Sequence, residues 1–87
     1  MLLKALTEAN GVSGNERNVR ELILNEIKNY CDQITVDSIG NIIAYKKGNG
    51  VDDKSIMLSS HMDEVGLIVT GITEAGFIKF KPVGGID

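Results

Sequence analysis

Eighty-seven residues leave room for one small domain, whose surface is large for its volume and whose core is correspondingly thin. Apolar residues make up 43% and charged residues 24%, the balance of a globular chain, which argues against a disordered tail. A net charge of −3 leaves no basic footprint for nucleic acid, and no apolar run approaches the ~20 residues that cross a membrane.

In chain order, two helices come first. Leu2, Leu3, Leu6 and Ala9 fall on one side of a short helix that Gly11 is placed to end. Ser13 and Glu16 have the spacing of a capping box, so Ser13 is expected to open a second helix from about Asn15 to Tyr30. Val19, Leu22, Ile23, Ile27 and Tyr30 form its apolar stripe. Cys31, the one cysteine, cannot close an internal disulfide; it fits a reducing, cytoplasmic setting and is expected to be buried or half-buried.

The rest reads as strands. Ile34–Asp37 and Asn41–Lys46 are expected to form a hairpin with Gly40 in its turn. Lys47–Lys54 is a polar, glycine-bearing surface loop. The apolar run Ser55–Ser60 has the composition of a central strand covered on both faces. Gly66–Ile72 and Phe77–Val83 are two further strands joined by Thr73-Glu74-Ala75-Gly76. The fold class is therefore α/β, two N-terminal helices followed by a mixed β-sheet.

His61, the only histidine, directly follows the apolar run, and open α/β sheets build their sites where strands end. Imidazole is a good zinc ligand and is commonly oriented by a carboxylate. Extended backbone points residues two apart the same way, so Asp63 is placed to support His61, with Met62 and Glu64 projecting oppositely. His-x-Asp is a weak pattern, and spacing alone favours a solvated Asp63-Glu64 turn over a metal site. A catalytic zinc takes about three protein ligands, and this chain offers one imidazole. No nucleophile elbow surrounds Ser59 and Ser60, and Gly11-Val12-Ser13-Gly14 lacks the lysine of a phosphate loop.

Four segments in order, Gly11-Val12-Ser13-Gly14, Val36-Asp37-Ser38-Ile39-Gly40-Asn41, His61-Met62-Asp63-Glu64-Val65-Gly66 and Pro82-Val83-Gly84-Gly85, resemble the M42 family of metallo-aminopeptidases. The resemblance covers nearly the whole chain but only the first part of a family member. It implies an α/β sandwich that holds two zinc or cobalt ions and cleaves N-terminal residues from peptides, with a β-rich domain inserted after the first strands. On that basis residues 1–65 are expected to begin the catalytic domain and 66–87 to lead into the inserted one. His61 matches the metal-binding histidine, and Asp63 the catalytic carboxylate that orients it; Glu64 takes no catalytic role. The other metal ligands and the general base of the family have no counterpart in these residues, so the chain alone is expected to hold no metal stably and to be inactive. Homo-oligomers or self-association are expected. A non-catalytic module that pairs through exposed strand edges is the alternative, and another His-x-Asp metallopeptidase family is a third reading.

Overall fold

The computed structural model describes residues 1–50 and 54–87. The element order is α1 (Leu2–Glu8), α2 (Arg17–Ile27), β1 (Gln33–Val36), β2 (Ile42–Tyr45), β3 (Gly66–Ile72) and β4 (Ile78–Val83). Helices followed by strands give the α/β class expected. The strands form two separate two-stranded antiparallel sheets, β1–β2 and β3–β4, along a molecule of 68 × 24 × 24 Å.

Helix α1 stops where Ala9 becomes extended (φ −73°, ψ 139°), two residues before the glycine expected to end it. Gly11 serves packing: a Cβ there would lie 2.5 Å from Val19 Cγ2. Helix α2 lies within the expected span but is not capped by Ser13. Glu16 takes the N-cap position, and its carboxylate accepts the Gly14 N–H at 2.7 Å. Gly14 turns the chain at φ +85°, a conformation that costs glycine little. The apolar stripe of α2 survives in part. Val19 is buried at 6% exposure, the one buried apolar side chain among the described residues. Leu22, Ile23, Leu24 and Ile27 are half-buried, as is Cys31, whereas Tyr30 falls beyond the helix end and is exposed.

In the β1–β2 hairpin, Gln33 pairs with Tyr45 and Val36 with Ile42. Asp37 builds the turn. Its Oδ1 accepts the N–H groups of Ile39 and Asn41 at 3.1 and 2.8 Å, and its Oδ2 accepts the Asn41 amide at 2.9 Å. These donors, the Asn41 side chain first and its backbone N–H next, hold the Asp37 carboxyl below the usual aspartate range against the opposing effect of desolvation.

The β3–β4 hairpin carries a bulge. Leu67 pairs with Pro82 and Val69 with Phe80, then the register shifts, so that Gly71 pairs with Lys79 and Ile72 with Ile78. Paired residues share a sheet face and neighbours alternate. Leu67, Val69, Ile72, Ile78, Phe80 and Pro82 therefore lie on one face, and Ile68, Lys79 and Lys81 on the other. Thr70, the unpaired residue, moves Ile72 onto the apolar side.

The expectation of a central strand also fails. Ser55–Ser60 is not a strand, and Ile56, Met57 and Leu58 are 91%, 88% and 92% exposed. A strand needs neighbours to take its backbone hydrogen bonds, and none of the described strands lies beside this run. The part of the Lys47–Lys54 loop at 51–53 lies outside the described residues.

Candidate functional site

The segment after Ser60 is where the molecule joins itself. Glu64 N–H donates to Gly11 O at 2.9 Å, and Gly11 N–H donates to Glu64 Oε1 at 3.0 Å. Val12 and Glu64 form a parallel β-bridge. Val12 packs so closely on Gly66 that a Cβ at Gly66 would overlap its Cγ1. The α1–α2 connection and residues 62–66 thus lie backbone to backbone.

On the other side of this segment His61 and Asp63 meet as the alternation predicts. His61 Nδ1 is 2.9 Å from Asp63 Oδ1 and 3.1 Å from Asp63 O. Both oxygens accept only, so Nδ1 donates, and in the neutral ring this tautomer leaves the lone pair on Nε2. The His61 side chain is 83% exposed, and among the described residues Nε2 has no hydrogen-bond partner. The ring opens on a cleft of about 220 Å³ lined by Glu16, Ile39, Gly40, Asn41, Ser60 and Asp63. It is not enclosed in a core, as a structural histidine would be.

This donor set fits one ligand of a metal centre, an imidazole with its far nitrogen oriented by a carboxylate. Among the described residues no group of three or more His, Cys, Asp and Glu side chains converges to hold an ion. Sequence reasoning did not anticipate Glu16 and Asn41 beside His61, having placed one in a helix cap and the other in a hairpin. Nor did it anticipate the link from Glu64 to Gly11, which joins residues 53 positions apart and has no local signal. A second hollow, of about 280 Å³ between the start of α2 and the Asp37–Gly40 turn, contains none of the residues anticipated for the site.

An α/β framework that presents a carboxylate-oriented histidine at a cleft matches the construction of a metallohydrolase site. The sequence profile described as M42 glutamyl aminopeptidase matches residues 40–87, and a second profile, described as AMPT, matches residues 1–22. The chain belongs to the M42 family. A provisionally named aminopeptidase of Acetivibrio thermocellus is 53% identical over 86 residues, which is 99% of this chain and 25% of the relative. The lysyl aminopeptidase of Pyrococcus furiosus is 36% identical over 86 residues, 98% of this chain and 24% of the relative. A solved structure of PhTET1-12s, a dodecamer in the asymmetric unit, superposes with a TM-score of 0.80 at 46% identity, covering 99% of this chain and 25% of that one. The chain therefore spans about a quarter of the length of the relatives it matches.

Proposed function

We propose that these 87 residues form the first quarter of a metal-dependent aminopeptidase, in which His61 is a metal ligand and Asp63 the carboxylate that orients it. The observation that supports this best is the His61 ring itself, paired through Nδ1 with Asp63 at 2.9 Å while the residue lines a cleft. A bound zinc or cobalt ion supplies Lewis-acid polarisation of a peptide carbonyl. Asp63 holds the ring in the tautomer that frees Nε2 and keeps it from rotating away. In this reading the remaining donors and the general base come from other parts of the polypeptide, so residues 1–87 alone cleave nothing. Residues 1–65 belong to the catalytic domain, and 66–87, which begin with the separate β3–β4 sheet, lead into an inserted β-rich domain. The lone thiol supports a cytoplasmic setting, and peptides are the substrates.

The test uses the native gene product that carries these residues, purified with zinc or cobalt and assayed on aminoacyl p-nitroanilides with acidic, basic and apolar side chains. Release of p-nitroaniline is expected, with His61→Ala abolishing it and lowering the metal content. A His61→Ala protein with full activity and metal content refutes the assignment.

The apolar face of β3–β4 favours a second property, pairing with other chains. Homo-oligomerisation is the form proposed here, and the dodecamer of PhTET1-12s supports it. If no peptide substrate is cleaved but oligomers form, the interaction module is the better reading.

A further inference from the structure

We propose that Glu64 is a positioning residue, whose carboxylate ties the His61–Asp63 segment to the α1–α2 connection and so sets where the imidazole stands in its cleft; this rests on the aminopeptidase reading above. Gly11 is buried, and a buried backbone group without a partner costs about 1–3 kcal/mol. One residue meets both of its polar groups: the Glu64 backbone N–H reaches Gly11 O, and the Glu64 carboxylate takes Gly11 N–H. The Gly11 backbone is itself pinned against Val19, the one buried apolar side chain among the described residues. The anchor therefore runs from α2 through Gly11 to Glu64.

From Glu64 the chain alternates. Asp63, its neighbour, projects to the opposite side and holds His61. The far wall of the cleft is formed by Glu16, beside the start of α2, and by Asn41. Glu64 thus fixes the ligand-bearing segment relative to the helix whose N-cap forms part of that wall. Without its carboxylate, the segment keeps only the backbone bond and the close packing of Val12 on Gly66, and it can rotate about them. Such a rotation would shift the His61–Asp63 pair in the cleft and let its hydrogen bonds at Nδ1 open part of the time.

The experiment compares Glu64→Ala, Glu64→Gln and Glu64→Asp in the native gene product, well below each protein's melting temperature. Zinc affinity is measured by chelator competition, and the His61 ring nitrogens are followed by NMR at one fixed pH. Glu64→Ala is expected to weaken zinc binding about 10- to 100-fold, as loss of an outer support does, and to average the two ring tautomers. Glu64→Gln keeps an oxygen for Gly11 N–H and is expected to stay within about threefold of wild type, the worth of an ordinary hydrogen bond. A folded Glu64→Ala protein with wild-type affinity and a single tautomer overturns the proposal, as does Glu64→Gln behaving like Glu64→Ala. If Glu64→Ala does not fold, Glu64→Asp decides: one methylene too short to reach Gly11, it must lose affinity, and wild-type behaviour overturns the proposal. A wild-type protein that neither binds zinc nor cleaves peptides sinks the aminopeptidase reading, and the ring spectra of the variants still decide whether Glu64 positions His61.

Discussion

Residues 1–87 cut out and studied alone should not behave as an independent folded monomer. A compact monomer of 9.4 kDa exposes about 5,000 Å² by the usual scaling of surface with mass, whereas this chain exposes 7842 Å², an excess of about 2,800 Å². At the usual apolar share of protein surface, about 1,600 Å² of that excess is apolar, several times the largest patch on a typical monomer. It is concentrated on Ile56, Met57 and Leu58 and on the Leu67, Val69, Ile72, Ile78 and Phe80 face of β3–β4. Sedimentation velocity over a concentration series should show assembly, with bound hydrophobic dye. Urea should give a shallow transition, with a slope well below the ~1 kcal/mol/M of a small cooperative domain. Leu58→Asp with Phe80→Asp should reduce assembly without restoring cooperativity. A monomer at every concentration, with a sharp transition and no bound dye, would refute the reasoning.

Two further predictions concern the scaffold. Gly11→Ala in the native gene product should cost roughly 1–3 kcal/mol by overpacking, because the new Cβ would lie 2.5 Å from Val19 Cγ2. Combining it with Val19→Ala should return part of that loss in a double-mutant cycle of chemical unfolding, and strict additivity would argue against the contact. Asp37, held below its ordinary value by the Asn41 and Ile39 donors, should stabilise the β1–β2 turn fully above the unfolded aspartate pKa. That contribution should be lost as pH falls through the lower folded value. The amide signals of Ile39 and Asn41 followed through acid titration check this, and Asp37→Ala should remove the pH dependence.

Local features were legible in the sequence because local physics decides them. The β3 boundaries, the Gly40 turn and the shared direction of His61 and Asp63 follow from alternation and turn chemistry within a few residues. The cap of α2 was not legible, because Glu16 satisfied Gly14 and left Ser13 out of the bond a capping box requires. Composition misled at Ser55–Ser60: an apolar run states a capacity for burial, and the partner strands that would realise it are not among the described strands. The motif resemblance proposed His61 and Asp63 as site residues, while the Gly11–Glu64 contact had to await the fold.

Thr70 is an insertion in the pairing of β3 whose effect extends beyond itself. It acts as a frame marker. Left out of the pairing, it gives the strand an oily side and a lysine-bearing side; drawn into regular alternation, it would turn Ile72 among Lys79 and Lys81 while Leu67 and Val69 stayed where they are. The strand should therefore accept replacements at Thr70 and even its deletion, which leaves Gly71 opposite Lys79 and Ile72 opposite Ile78, whereas a change that irons the bulge flat would turn Ile72 over.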